Sequence, residues 1–218
     1  MILLATALFL GFLHGLGPDH LMAIAALSVD DSGGGRRRRA VVVAAQFALG
    51  HALLLSVGAG LLVVIGWTVP PGFERGGEML GGALLILMGI VTLHPPSRSA
   101  LRWTWHAHGP QAGRHTHSAD HHHHSHLPTM VGAAFAVSSL RALAMLTPFG
   151  TRLDAAPLTL LLALIVVFAV GILGSMTLFG VVLARVLSMR TLERVGDGAG
   201  ALIGASSVLL GIAWVVTA

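Results

Sequence analysis

The sequence predicts an all-α polytopic membrane protein, and three observations predict it. Of the 218 residues 55% are hydrophobic and only 10% are charged, with a mean hydropathy of +0.83, well outside the range of a soluble domain of this length. The apolar residues fall into six runs, each near the roughly 20 residues that cross the hydrocarbon core. The basic residues gather in alternate gaps between those runs.

The spans are expected at about 2–27, 40–66, 76–94, 129–147, 157–185 and 198–217. The first begins directly at Met1 with no basic segment and no small-residue cleavage site, so a removed signal peptide is not expected. It is interrupted by Gly15, Gly17 and Pro18, and a broken first helix follows from the missing proline N–H. The second starts after Arg36 to Arg39, and the third ends before Pro95 and Pro96. The fourth runs from beyond Pro128 to Pro148 and encloses Arg141, whose charge is expected to snorkel outward or to pair with Asp154 or Glu78. The fifth lies between Pro157 and Arg185, and the sixth follows Asp197.

Orientation comes from arginine, because the chain contains no lysine and 13 arginines. Arg36 to Arg39, Arg98, Arg102, Arg114, Arg185, Arg190 and Arg194 lie in the first, third and fifth gaps. By the positive-inside rule those gaps are cytoplasmic, which places both termini outside the plasma (inner) membrane. The sequence pI of about 11.5 then reflects topology and a lipid-bilayer partner, not nucleic-acid binding. Cysteine is absent, which removes disulfides and thiolate ligands and leaves His, carboxylate, Met and backbone groups for any metal.

The first span carries HGLGPDHL, with His14, Asp19 and His20 at membrane depth. Ionisable groups are costly there and mark a pathway or a site. In an unbroken helix His14 and His20 would point about 120° apart; a break at Pro18 lets both turn toward one point. His51 of the second span lies at a similar depth and completes a set of three imidazoles and one carboxylate. A lone membrane histidine can simply bond a neighbouring helix, but this combination suits Ni(II), Co(II), Cu(II) or Zn(II).

A second histidine feature lies between the third and fourth spans. His106, His108, His115, His117, His121, His122, His123, His124 and His126 are nine of the 13 histidines. The tract has too little apolar surface to fold and offers exchangeable ligands to divalent metals. An auxiliary buffering or delivery role is expected, since a disordered loop cannot select a coordination geometry.

The chain divides into a three-helix half over 1–94 with the metal motif, a His-rich cytoplasmic loop over 95–128 and a second three-helix half over 129–218. Leu49-Gly50-His51 resembles Leu173-Gly174-Ser175, and three spans per half would make a 3+3 inverted repeat. The 28 glycines permit close helix packing.

HGLGPDHL matches the His-x4-Asp-His signature of the nickel/cobalt transporter family, and FALGHALLL resembles that family's second-span element. The resemblance is strong over about residues 8–60, and GILGSMTLFG is similar to the fifth-span element of the wider group. It implies that His14, Asp19, His20 and His51 handle the metal during permeation. The Asp/Thr/Glu motifs of the larger importers have no counterpart here, and six spans replace the usual eight, so the chain resembles a compact permease or efflux relative.

The expected function is transport of a divalent transition metal, Ni(II) and/or Co(II) as substrate, with uptake favoured over export through the retained Asp19. No organic cofactor and no enzymatic activity are expected, and a cytoplasmic metallochaperone is a candidate partner. The alternatives are metal efflux, export of small anions or amino acids, a membrane haem protein, or a His-x4-Asp lipid acyltransferase.

Overall fold

A computed structural model describes residues 1–28, 36–65, 70–94, 126–139, 158–187 and 196–218. Among these residues every regular element is helical: α1 Ile2–Gly15, α2 Pro18–Ser28, α3 Arg36–Ile65, α4 Pro71–Leu93, α5 Leu127–Ser138, α6 Leu158–Leu187 and α7 Gly196–Thr217. Four of them (α3, α4, α6 and α7) are long and apolar enough to cross a membrane. The pair α1 and α2, bent by 53° across a short break, passes the same test together. The fourth expected span is described only as far as Ser139, where α5 has 12 residues and a length of about 18 Å, short of the hydrocarbon thickness.

The break lies where proline chemistry puts it. Pro18 has no N–H to donate to the His14 carbonyl, and the Gly17 N–H takes its place at 2.9 Å. The Leu16 N–H caps Leu13 at 3.1 Å, and the new helix starts with Leu21 N–H donating to the Gly17 carbonyl at 3.1 Å. Pro18 therefore occupies the first turn of α2, where an N–H has no intrahelical acceptor. The His14 carbonyl, deprived of the Pro18 donor, is satisfied locally. The bend has a larger consequence: α1 packs mainly along α6, whereas α2 meets α3, α4, α6 and α7. The second part of the span thus enters the centre of the bundle, and Asp19, His20, Ala23, Ile24 and Ser28 are buried.

The outer surface has the character of a lipid-facing one. On α3 the exposed side chains include Leu49, Leu53, Val57, Leu61 and Val64, and on α6 Leu162, Val166, Val170, Leu178, Val182 and Val186, stripes at helical spacing that a water-soluble fold would cover. Polar residues lie inside, among them His20, His51, Ser139, Ser175 and Ser207. The chain is a helical membrane protein.

Glycine sets the helix spacing. A Cβ on Gly11 would overlap the Phe168 carbonyl, and one on Gly171 the Leu8 carbonyl, which joins α1 to α6. On α3 and α5, Gly132 meets the Phe47 carbonyl and Gly50 the Thr129 carbonyl in the same manner. Each member of the second set has a counterpart 121 positions away: Gly11 with Gly132, Leu8 with Thr129, Phe47 with Phe168, and Gly50 with Gly171. Between α4 and α7, Gly82 approaches Gly211 and Val215 while Gly204 approaches Gly89 and Leu93. There the counterparts (Gly82 with Gly204, Gly89 with Gly211, Leu93 with Val215) are 122 positions apart. The register of the sequence comparison is corrected accordingly: Gly50 corresponds in packing to Gly171, not to Gly174, beside which a Cβ would meet nothing within 4 Å. The residue pairings also give direction. Gly82 lies by Gly211 and Gly89 by Gly204, and Gly180 lies by Ala44 while Gly60 lies by Leu162, so α4 and α7 run antiparallel, as do α3 and α6.

These contacts separate glycines that pack from glycines that do not. Gly50→Ala and Gly132→Ala press a methyl group against backbone that cannot rotate away, and each is expected to destabilise by about 1–3 kcal/mol. Gly58→Ala faces open space and should be neutral or stabilising by up to about 1 kcal/mol through helix propensity. Thermal unfolding of the three variants in one detergent measures the difference.

Candidate metal centre

Three imidazoles converge from two segments of the chain. His14 ends α1, His20 opens α2 beyond the bend, and His51 sits inside α3. One ring nitrogen from each can be chosen so that all three lie within 4.8 Å of one another. His14 Nε2 and His51 Nε2 are 3.3 Å apart, and the His20 ring is 4.9 Å from that of His14 and 4.6 Å from that of His51, centroid to centroid. Nitrogens that share one ion at bonds of about 2.0–2.1 Å lie about 3.0 Å apart on a right-angle edge and about 3.4 Å apart on a tetrahedral edge. The His14–His51 separation falls between those values.

Asp19 adds the carboxylate. Its Oδ1 is 3.1 Å from His20 Nδ1, and His20 and Asp19 are 2% and 8% exposed while His51 is fully buried. The contact is within ion-pair distance, although it does not meet strict hydrogen-bond geometry at His20 Nδ1. His51 Nδ1 is likewise without a hydrogen bond, although the Gly132 backbone is within electrostatic reach of that ring. Buried polar atoms are seldom left in this condition without a ligand or a water to complete them. The aspartate pairs with His20 and not with His14, so the His14-x4-Asp19 spacing does not form an oriented acid–base dyad.

Gly17 makes room for this pair. A Cβ there would stand 2.6 Å from Asp19 Oδ1, 2.8 Å from His20 Nδ1 and 3.1 Å from the His14 carbonyl oxygen. The helix break and the donor set are therefore one local structure.

Aromatic residues enclose the histidines. Phe47 stacks on His51 at 6.2 Å with an interplanar angle of 10°, Phe168 stacks on His14 at 5.8 Å, and Phe135 lies 6.3 Å from His20. They restrict water and hold the rings, as the apolar shell of a metal site does. Ser139 reaches His20 Nε2 at 3.3 Å. Sequence reasoning did not assign these four residues to the site. Phe47 and Phe168 had a signal, since FALG at 47–50 repeats as FAVG at 168–171; Phe135 and Ser139 had none, being brought to the site by α5 from the other half.

The structure brings together His14, Asp19, His20 and His51, with Gly15, Gly17 and Pro18 forming the break beside them. Of the loop histidines only His126 is described, as an exposed residue preceding α5. His106, His108, His115, His117, His121, His122, His123 and His124 lie outside the described residues, as does Arg141.

Gly17→Ala should displace the Asp19–His20 pair while leaving the helices assembled. Its divalent-metal affinity is expected to fall about 10–100-fold, the usual cost of disturbing the support of a ligand, with little change in circular dichroism; equilibrium dialysis with Ni(II) or Co(II) reads the affinity. Compared with family models, with curated proteins and with solved structures, the chain finds no match.

Proposed function

We propose that this protein transports a divalent transition metal, Ni(II) and/or Co(II), across the membrane through the His14–Asp19–His20–His51 site. The observation that carries the reading is a cluster of three imidazoles whose ring nitrogens lie within 4.8 Å of one another, with the Asp19 carboxylate 3.1 Å from His20, inside a bundle of apolar helices. A soluble sensor would not need lipid-facing stripes, and a structural histidine pair would not need a third imidazole and a buried carboxylate beside it. Nitrogen-rich sites with one carboxylate suit late first-row divalent ions better than Mg(II) or Ca(II). The preference for nickel or cobalt within that series comes from the resemblance of HGLGPDHL and FALGHALLL to the nickel/cobalt transporter family, as does the choice of uptake over export.

A six-span plan with a 3+3 inverted repeat belongs to the same reading. It is supported by the paired glycine contacts at shifts of 121 and 122 residues, and by the antiparallel course of α3 against α6 and of α4 against α7. In such a plan the second half would insert upside down, both termini would lie outside and the His-rich loop would be cytoplasmic, placed to receive or supply metal. A shift of 121 puts Phe135, Arg141 and Ile172 at the positions of His14, His20 and His51. The second half thus has no equivalent donor set, and one ion per chain is the expected stoichiometry.

The haem alternative is disfavoured by spacing. Two axial nitrogens stand about 4 Å apart across the iron with a macrocycle between them, whereas His14 and His51 are in contact and are flanked by Phe168 and Phe47.

Sealed proteoliposomes loaded with radioactive nickel test the proposal. Flux is expected from the wild type under an imposed proton gradient or potential, reduced at least tenfold in His14→Ala/His20→Ala, and retained when residues 106–126 are deleted. Absence of Ni(II) and Co(II) flux in both directions would reject transport of these ions; flux lost with the loop but kept in the double variant would move the permeation site away from the motif.

A further inference from the structure

We propose that His14 is the moving ligand of the cluster and that Phe168 is the positioning residue that guides it, offering a flat face on which the imidazole turns to admit the ion. The inference rests on the reading of the histidine cluster as a divalent-metal site and adds how that site takes up its cargo.

Direction matters here as much as distance. His14 Nε2 and His51 Nε2 are 3.3 Å apart, and the ring centroids are 5.6 Å apart. The nitrogens are therefore closer than the centroids by about one ring radius at each end, which requires both to point nearly along the line that joins them. An ion on that line would stand too near each nitrogen, since the bonds are about 2.0–2.1 Å long. It must stand to one side, and for a tetrahedral site the two rings together turn by roughly 70° before both nitrogens face it.

The two rings are not equally free to turn. His51 lies inside α3, fully buried, with Phe47 stacked on it at an interplanar angle of 10° and His20 edge-on at 4.6 Å. His14 is half-buried and stands where α1 ends. Its helix packs mainly along α6. From α6 the Phe168 ring covers one face of the imidazole, with centroids 5.8 Å apart and an interplanar angle of 28°. Phe168 is itself held in place: its side chain is buried, and Gly11 approaches its backbone carbonyl. A ring stacked in this way can rotate within its own plane and keep the contact, whereas tilting out of the plane meets the neighbouring face or abandons it. Phe168 thereby confines His14 to the motion that swings Nε2 off the His51 axis and back. At a shift of 121 residues the same pair becomes Phe47 with Phe135, whose rings are 5.6 Å apart at 55°; that contact is tilted and has no nitrogen to deliver.

The test uses the full chain in detergent, labelled on histidine and phenylalanine side chains, with Zn(II) as a diamagnetic probe. His14 signals are identified by their loss in His14→Gln, and Phe168 signals by their loss in Phe168→Tyr. A nuclear Overhauser contact between the two rings is expected both without metal and at saturation with Zn(II). Relaxation dispersion, which reads microsecond-to-millisecond motion, is expected at the His14 ring of the metal-free protein and not at His51. In Zn(II) titrations Phe168→Leu should weaken affinity about tenfold, Phe168→Tyr should recover most of that loss, and Phe168→Leu should add nothing in a His14→Ala background. Loss of the His14–Phe168 contact at saturation would overturn this proposal and leave the metal site standing. So would exchange at His51 beside a static His14, or equal weakening by Phe168→Leu with and without the His14 ring. The contact and the exchange are read in the wild type, so they decide the matter even if Phe168→Leu does not fold. A chain that binds neither Zn(II), Ni(II) nor Co(II) would overturn the metal reading and this proposal with it.

Discussion

The rest of the structure depends on one broken turn. Inside a bilayer a backbone polar group that loses its partner must find another within the protein, and Pro18 removes one donor from the middle of the first apolar segment. The chain answers with a tight turn at Leu16 and Gly17, whose N–H groups satisfy Leu13 and His14. That turn bends the segment by 53° and sends α2 into the interior. Asp19 and His20 follow at its first turn, and they arrive where His14 and His51 already point. A straight helix would have kept His14 and His20 on different faces.

The interior that receives them is assembled by contact, not by exclusion of water. Lipid tails are as apolar as leucine, so helices in a membrane associate through close packing. Here glycine brings backbone against backbone at Gly11, Gly50, Gly132 and Gly171, and again at Gly82, Gly89, Gly204 and Gly211. The result places α1 beside α6 and α5 beside α3, so that Phe168 and Phe47, which occupy matching places in those contacts, become two walls of the histidine site. Packing is paired between the halves while chemistry is not: imidazoles stand in the first half, and Phe135 and Ile172 stand at the corresponding positions of the second. A site of this kind needs only one donor set, and the other half supplies enclosure and the Ser139 hydroxyl.

Helix positions were largely legible in the chain. Long apolar runs bounded by arginine and proline located α3, α4, α6 and α7 to within a few residues, because a membrane span leaves a compositional mark that no tertiary contact has to create. The break at Pro18 was legible for the same reason, since its cause is local. The repeat was legible only as a suspicion with the wrong register: short apolar sequences align in several ways, and only the helix contacts show that Gly50 corresponds to Gly171.

What the sequence by itself determined is the membrane character, the helix break and the three imidazoles with their carboxylate, all of which follow from composition and from bonds within a few residues. Only the tertiary structure decided which atoms face one another: that Asp19 lies against His20 and not His14, that His14 and His51 meet through Nε2, and that Phe135 and Ser139 close the site. Those outcomes depend on the distance and rotation between helices far apart in the chain, quantities set by the mutual fit of glycine and aromatic surfaces and written in no single segment.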